Sequence, residues 1–386
     1  MKRLNVAMIG GGFMGKAHAL AYVAMPMFFW PAPAIPVRKV AVDMNADLAA
    51  TARDRFGFEE SSGDWRSVIA RDDIDIIDIC TPNDSHAEIA IAAAAAGKHI
   101  ICEKPLARTA PEARKMLDAV AGRSAIHMVA FNYRRVPAVA LARKFIDEGR
   151  IGTITNFRGT YLSDWSADPD SPLSWRFQKS VAGSGAVGDI ATHCLDFARY
   201  LVGDVAAVNA ITKTYHKTRP IQSGGADQLG IGGDRAAPRG NVDVDDEVMT
   251  MLRFQNGAIG SIEATRNSYG RNNYLTFEIH GTKGSIVFNY ERRDELQVMF
   301  ANDPADARGF RTIYTGPAHP YGAALWPIPG LGIGYGETKI IECHDLCEAI
   351  MTGVQPSPNF EDGWRVAVIA DAILASAESQ TWVDCA

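Results

Sequence analysis

"IGGGFMGKAHA", residues 9–19, carries glycines at Gly10, Gly12 and Gly15. Upstream, Leu4-Asn5-Val6-Ala7-Met8-Ile9 is an apolar run of strand length, and downstream Lys16-Ala17-His18-Ala19-Leu20-Ala21 reads as helix. Between a strand and a helix, the G-x-G-x-x-G spacing acquires a mechanical meaning. The first glycine permits a tight turn, the second lets the backbone approach a pyrophosphate, and the third packs the helix close to the strand. Free N–H groups at the helix start then attract the phosphates. Alone, the spacing is weak in a chain with 35 glycines. In this context it predicts a dinucleotide site, with Gly10, Gly12, Phe13 and Met14 at the turn.

Such a site also needs an acid at the end of the second strand, where it accepts hydrogen bonds from a ribose. Val40-Ala41-Val42-Asp43 supplies one. Asp43 lies further along than the usual ~20 residues, and "YVAMPMFFWPAPAIPVRK" reads as an insertion between helix and strand. Met44 and Asn45 follow, with no arginine to hold a 2′-phosphate, while Arg38 and Lys39 sit too far back. The charge logic favours NAD over NADP. Asp43 is also placed to N-cap the helix "ADLAATARDRF", a role compatible with the first.

The chain of 386 residues is long enough for two domains, each with its own core. A net charge of −6 with mixed signs gives no basic stripe for nucleic acid or an anionic membrane. No secretory signal precedes the first strand. The apolar residues 24–37 contain Pro26, Pro31, Pro33 and Pro36, which suits a packed loop better than a membrane span. Cysteines at 80, 102, 194, 343, 347 and 385 are scattered. Cys343 and Cys347 share a helix face with only His344 near them, so a buried thiol pair is expected rather than half a zinc site. No metal site and a cytoplasmic, reduced setting are expected.

From residue 1 to about 131, strands and helices alternate, implying a doubly wound parallel sheet covered on both faces. "IDIIDIC" (74–80), "KHIIC" (98–102) and "IHMVAF" (126–131) are strands, and "HAEIAIAAAAAG" (86–97) is a helix closed by Gly97. From about residue 151, "ITNFRGTYL", "AAVNAITKTY", "EVMTMLRF", "GAIGSIEATR", "NYLTFEIHG" and "GSIVFNY" are rich in β-branched and aromatic residues, with Asn256-Gly257 and Lys283-Gly284 as hairpin turns. The expected organisation is an NAD-binding Rossmann domain, 1–131, followed by a substrate-binding and oligomerisation domain, 132–386. The second is an α+β domain on a large, mostly antiparallel open sheet. Helices near 338–352 and 361–379 close the chain, and the glycine-rich run 224–240 reads as loop.

Ligands on open α/β sheets bind beyond the carboxyl ends of the strands. "CTPNDSH" (80–86) and "CEKP" (102–105) lie there. Thr81 and Asn83 suit hydrogen bonds to a ribose or nicotinamide. Lys104 brings an ammonium to the sheet edge, where it is either a surface lysine or a functional one, and Pro105 restricts its backbone to an extended form. In "GSGAVGDIATHCLDFARYLVG" (183–203), Asp189 and His193 are four apart and share a helix face, with Asp196 close by. The pair is either a structural hydrogen bond or a catalytic one. Beside a nicotinamide it meets the needs of alcohol oxidation. Imidazole is a base of suitable strength, a carboxylate orients it or the hydroxyl, and a lysine ammonium stabilises developing alkoxide and lowers the pKa of the base.

Taken together, "GGGFMGKAH", "TPNDSH", "CEKP", "FNYRR" and "GDIATH" resemble the Gfo/Idh/MocA oxidoreductases over essentially the whole chain. That family includes inositol dehydrogenases and glucose–fructose oxidoreductase. The resemblance implies catalytic roles for Lys104, Asp189 and His193, a Lys104–Pro105 bond that is often cis, and NAD as cofactor. It also implies that His86, Glu103, Lys104, Asn132, Trp175 and Arg176 lie along the cofactor. "AYVAMPMFFWPAPAIPVRKV", "TYLSDWSADPDSPLSWRFQKSVAGSGAVGDIATH" and "YTGPAHPYGAALWPIPGLGIGYGETKIIE" are similar to a branch that oxidises the C3 hydroxyl of an anhydrosugar. Tyr133, Tyr161, Trp165, Trp175, Trp326 and Tyr335 then supply flat walls for a sugar ring, and Asn132, Arg176 and Lys179 bond its hydroxyls. Any one of these aromatics is more often core, but "SDWSADPDSPLSWRFQK" is polar and proline-rich, as a loop is.

Three readings follow. The first is an NAD-dependent dehydrogenase of a sugar, with an inositol or other polyol as the alternative substrate. The second is an NAD-dependent glycoside hydrolase working through transient C3 oxidation. The third is a non-catalytic sensor, against which the complete motif set argues. A zinc alcohol dehydrogenase is disfavoured, since the sequence has no cysteine cluster for the metal. The broad second sheet implies a homo-oligomer, and tetramers occur in the family. A small sugar is the expected partner, with no nucleic acid and no membrane.

Overall fold

The computed structural model describes residues 1–221, 234 and 236–385. The chain divides into two units, Met1–Arg135 with Ile333–Arg365, and Val136–Gly332 with Val366–Ala386. The first crossing lies just past the expected boundary at 131. The second unit is not simply the remainder of the chain, however, because residues 333–365 return to the first.

In the first unit, continuous apolar runs give six parallel strands: β1 (Arg3–Ile9), β2 (Ile35–Val42), β3 (Glu60–Ser62), β4 (Ile76–Ile79), β5 (His99–Cys102) and β6 (His127–Val129). Their order is β3-β2-β1-β4-β5-β6. Such runs suit strands buried on both faces; Val6, Met8, Ile76, Ile77 and Ile100 have no exposed surface. The order reverses between β1 and β4, which opens a crevice at the carboxyl ends. The helices are α1 (Phe13–Phe28), α2 (Ala46–Phe56), α3 (Trp65–Ile69), α4 (His86–Ala95), α5 (Ala110–Val120) and α10 (Tyr335–Thr352). The last returns because its Ile340, Cys343, Leu346 and Cys347 share a core with Leu4, Val6, Ala21, Tyr22 and Met25.

Two local expectations are corrected. Residues 24–28 are not loop: α1 continues through Pro26, because burying Ala24 and Met25 outweighs the lost backbone donor. The N-cap of α2 is Asn45, whose side chain accepts from the N–H groups of Asp47 (2.9 Å) and Leu48 (3.2 Å), so Asp43 is not the cap.

The second unit is built on a nine-stranded sheet of order β16-β15-β14-β13-β7-β12-β11-β8-β17. Its strands are β7 (Ile154–Leu162), β8 (Val205–Lys213), β11 (Glu247–Phe254), β12 (Ile259–Thr265), β13 (Tyr274–Gly281), β14 (Gly284–Asn289), β15 (Glu295–Phe300), β16 (Arg311–Tyr314) and β17 (Val383–Asp384). All pairings are antiparallel except β7 with β12, which is parallel. Alternation sets the faces: Val248, Thr250, Leu252 and Phe254 point inward, and Met249, Met251 and Arg253 outward. The inner face meets α8 (Thr192–Leu201), whose Phe197 packs edge-on against Phe277 with ring centres 5.4 Å apart. Helices α6 (Pro137–Asp147) and α11 (Phe360–Ser379) and the single turns α7 (Lys179–Ala182) and α9 (Gly322–Leu325) complete the helical elements. The second expected hairpin turn is shifted by one residue, since Gly281 and Gly284 already pair and Thr282-Lys283 makes the corner. Most of the glycine-rich run lies outside the described residues. Its end forms β10 (Arg239–Asn241), paired with β9 (Thr218–Pro220). Among the described residues, no helix is long and apolar enough to cross a membrane.

Candidate active site

In the first unit the glycine turn has the geometry that its spacing requires. Gly10 has φ +103°, and a Cβ there would lie 2.6 Å from the Cys80 carbonyl oxygen. A Cβ on Gly15 would lie 2.3 Å from the Gly10 oxygen. Helix α1 starts with Gly12 as N-cap, with no side-chain cap and no acid in its first turn. This uncapped helix start, reached by a backbone that leaves no room for side chains, fits a dinucleotide pyrophosphate. The Gly10 N–H donates to the Val42 carbonyl (2.8 Å), which brings the turn beside Asp43. One Asp43 carboxylate oxygen accepts from the Asn45 N–H (3.0 Å). The two basic residues that precede it on β2 are committed elsewhere: Lys39 pairs with Glu59 (2.7 Å) and Glu60 (3.2 Å), and Arg38 donates to the Phe56 carbonyl.

Beyond β4, Thr81 Oγ1 accepts from the Ser85 hydroxyl (2.6 Å), and Asn83 is buried. His86, expected along the cofactor, is instead turned inward and fully buried. Its Nδ1 lies 3.0 Å from the Pro105 carbonyl and its Nε2 2.9 Å from the Thr81 carbonyl. Burial holds this imidazole below its ordinary pKa despite the two carbonyls. His86 therefore ties together the loops after β4 and β5. Glu103 also faces inward, and one of its oxygens accepts from the Lys104 backbone N–H (3.0 Å). The Lys104 side chain is half-buried, and the Lys104–Pro105 bond is cis.

Five expected site residues distant in sequence gather at the start of α10. The Tyr335 ring stacks on Phe13 (6.0 Å between centres) and meets Tyr133 edge-on (6.2 Å). Its hydroxyl donates to the Met14 sulfur (3.5 Å). Asn132 Nδ2 donates to Thr338 Oγ1 (2.7 Å), which in turn donates to the Tyr335 carbonyl (2.7 Å).

In the second unit Asp189 sits in a π-helical turn (Val187–Ala191) that leads into α8, and His193 lies in that helix's first turn. Such wide turns recur at functional sites. The turn is held from below by Asp245, whose carboxylate accepts from the N–H groups of Gly185 (2.7 Å) and Val187 (2.8 Å). His193 is buried, with its ring 5.9 Å from that of Tyr161. Arg266, wholly buried, lies 3.7 Å from Asp189 and 3.8 Å from Asp246, and donates to the Asp245 carbonyl (3.1 Å). Arg176 stacks over Trp175 (4.4 Å), both half-buried, while Lys179 is exposed and its N–H donates to Asp243 (2.6 Å). Trp326 is partly exposed.

The stretch 163–179 is largely loop, as its composition predicts, and Trp165 within it is half-buried. It packs on the Phe177, Val242 and Val244 cluster, with Arg266 over its ring (5.3 Å). The apolar loop residues need a core of their own, and Trp165 covers one side of it. Sequence reading missed Arg266 and Asp245. The signal for Asp245 is "VDVDDEV", a run of acids entering a strand, and Arg266 stands at the end of "GAIGSIEATR" with nothing to mark it. It also missed a charged cluster under β5, where His18, Asp78, Glu103, Lys339 and Glu342 are all buried. Cys343 and Cys347 lie in the core shared by α1 and α10. Among the described residues, His18, Asp78 and Cys80 are close enough to hold a cation, as are His344, Asp345 and Glu348. The first three are already hydrogen-bonded to one another.

Residues 4–131 match the family model described as "Oxidoreductase family, NAD-binding Rossmann fold", and residues 139–287 match "GFO/IDH/MocA C-terminal domain". The chain is 70% identical to the levoglucosan dehydrogenase of Pseudarthrobacter phenanthrenivorans, covering 100% of this chain and 98% of that protein. It is 28% identical to the inositol 2-dehydrogenase of Rhizobium meliloti, with 99% of each covered. Among solved structures, a levoglucosan dehydrogenase in complex with NADH and levoglucosan superposes with a TM-score of 0.94 at 68% identity, over 99% of both chains.

Proposed function

The chain belongs to the GFO/IDH/MocA family of NAD-binding oxidoreductases, and on that premise we propose that it oxidises the C3 hydroxyl of levoglucosan (1,6-anhydro-β-D-glucose) to the 3-keto sugar. The 70% identity along the whole chain to a levoglucosan dehydrogenase carries the substrate, and the C3 position rests on the resemblance of sequence. NAD⁺, held by the Gly10–Gly15 turn and Asp43, supplies the acceptor for the hydride that leaves C3. The C3 hydroxyl gives its proton to the His193 imidazole, which Asp189 orients. The Lys104 ammonium stabilises the oxygen as negative charge develops on it. The ring nitrogen, carboxylate and ammonium thus divide the work of one alcohol oxidation, and the assignment of all three to one reaction rests on the motif pattern.

Levoglucosan is locked by its anhydro bridge, with the C2, C3 and C4 hydroxyls axial, so binding orders few torsions. Myo-inositol offers no apolar bridge to cover aromatic surface such as Tyr133 and Tyr335. We expect kcat/KM for levoglucosan to exceed that for myo-inositol and D-glucose by at least about tenfold, which needs only ~1.4 kcal/mol of differential transition-state binding. Initial NADH production on the three substrates at one pH, with the product identified by NMR, checks this. Equal activity on inositol, or a ketone at C2 or C4, overturns the substrate. A glycoside cleaved with neither ketosugar nor net NADH released would favour the glycoside hydrolase reading.

The cofactor preference has its own test. Asp43→Ser removes the charge that repels a 2′-phosphate and the acceptor for the ribose hydroxyls. The ratio of kcat/KM with NAD⁺ to that with NADP⁺ is expected to fall at least about tenfold, roughly one lost charge-assisted hydrogen bond. An unmodified enzyme that already prefers NADP⁺ contradicts this role.

We also infer a homo-oligomer, with a tetramer as the stoichiometry to be checked by light scattering. Ile211, Met249, Met251 and Ile259 stand exposed on the outer face of neighbouring strands β8, β11 and β12, and exposed apolar patches of that kind mark interfaces. Six unpaired cysteines suit a reducing, cytoplasmic setting.

A further inference from the structure

We propose that Lys339 is a positioning residue for the chemical step, acting on Lys104 through the carboxylate of Glu103. The inference rests on the reading of Lys104 as catalytic.

Lys339 lies within α10 and is 1% exposed. Its ammonium donates to Glu103 Oε1 (2.7 Å) and Glu342 Oε1 (2.9 Å), and lies 3.0 Å from His18 Nε2. From α1, His18 reaches Glu103 Oε1 with Nε2 (3.0 Å) and Asp78 Oδ1 with Nδ1 (2.9 Å). Asp78 also accepts from the Tyr22 hydroxyl (2.8 Å) and the Cys80 thiol (3.3 Å). Burial works against each of these charges. Even so, Glu103 and Glu342 hold Lys339 above the usual lysine range, and Lys339 with His18 holds Glu103 well below the usual carboxylate range.

Stability alone does not account for such a cluster, since well-packed apolar residues commonly replace a buried ion pair without loss. The two oxygens of Glu103 point to another use. Oε1 is fixed by Lys339 and His18, while Oε2 accepts the Lys104 N–H (3.0 Å). The Pro105 carbonyl is held in turn by His86. The peptide carrying Lys104 is therefore anchored on both sides, and one anchor depends on a cation contributed by a helix more than two hundred residues away. That helix also carries Tyr335 and Thr338, so one rigid element sets both Asn132 and Lys104.

The test compares the unmodified full-length protein with Lys339→Met, Glu103→Gln and the double variant. In Lys339→Met we expect kcat to fall at least about tenfold while the Kd for NADH, read by fluorescence, changes less than about threefold. The double variant should lose no more than the worse single one, because both act through the same carboxylate. A second readout is independent of substrate. Competitive acylation of Lys104 at fixed pH, followed by mass spectrometry, should change in rate at least about threefold relative to the exposed Lys179 in Lys339→Met, because the Glu103 carboxylate that holds the Lys104 peptide loses its own anchor. A merely structural lysine would lower Tm and leave both the acylation rate and kcat per folded site unchanged, and that result overturns the proposal. Should Lys339→Met not fold, Lys339→Gln takes its place, and the same shifts in kcat and acylation support or overturn the role. If the unmodified protein makes no NADH from levoglucosan, the substrate reading fails, and the acylation shift still decides the role of Lys339.

Discussion

Lys104→Ala and His193→Ala are each expected to lower kcat by roughly 10²- to 10⁴-fold, the range for removing a group that transfers or stabilises a proton in the transition state, while NADH still binds. The reasoning joins local placement to chemistry. Lys104 stands where β5 ends, at the carboxyl edge where open parallel sheets bind ligands. Its backbone is fixed by Glu103, so the ammonium starts from a defined point. His193 emerges from a π-helical turn that Asp245 holds rigid, beside Tyr161 and one helical turn from Asp189. Loss of either group should affect kcat far more than the KM for NAD⁺, because the proposed anchors of the nucleotide, the Gly10–Gly15 turn and Asp43, are left in place. The two roles separate by pH. If His193 is the base, the acid limb of the kcat profile disappears in His193→Ala. A limb that survives there transfers the base to Lys104. A double variant much less than additive shows the two acting as a unit. Near-normal kcat in either single variant removes that residue from the chemistry.

What the sequence made legible, and what it hid, divides along the range of the interactions. The tight geometry of the glycine turn and the sheet-edge place of the "CEKP" corner could be read because backbone mechanics sets each within a few residues. The β-rich half could be read from alternation, as in β11. The parallel pairing of β7 with β12 could not, since alternation says which face a side chain takes and nothing about strand direction. Pro26 and the prolines after it point to a packed loop, but the core buried by Ala24 and Met25 carries the helix through Pro26. Trp165 and Arg266 show the same limit. Whether an aromatic residue lines a site or packs under it depends on a partner a hundred residues away. His86 stands out by its motif, yet its ring braces two loops from beneath. A buried lysine such as Lys339 looks in sequence like any polar position on a helix until Glu103 and His18 are brought to it.

Gly15→Ala is expected to raise the Kd for NADH by roughly 10²-fold, although it adds a single methyl group. That methyl carbon would lie 2.3 Å from the Gly10 oxygen, with the Met8 sulfur at 3.1 Å. Reaching a tolerable contact requires α1 and the Gly10 turn to part by close to an ångström. Neither can yield cheaply. Gly10 is wedged against the Cys80 carbonyl at φ +103°, and its N–H is bonded to Val42. Helix α1 is buried against β1 and α10 through Ala21, Tyr22 and Met25. Separation therefore misaligns the helix N–H groups with the phosphates, and errors of that size commonly cost about two orders of magnitude. Some loss of Tm should accompany it, since the interior transmits strain. Gly97→Ala supplies the control. Gly97 also has positive φ (+71°), but a Cβ there meets nothing within 4 Å. It should cost about 1 kcal/mol of stability from backbone strain alone and leave the NADH Kd unchanged. Titrating both variants with NADH by fluorescence, alongside thermal melts, separates close approach from general destabilisation. If Gly15→Ala binds NADH as tightly as Gly97→Ala does, the third glycine is not what brings the helix to the nucleotide.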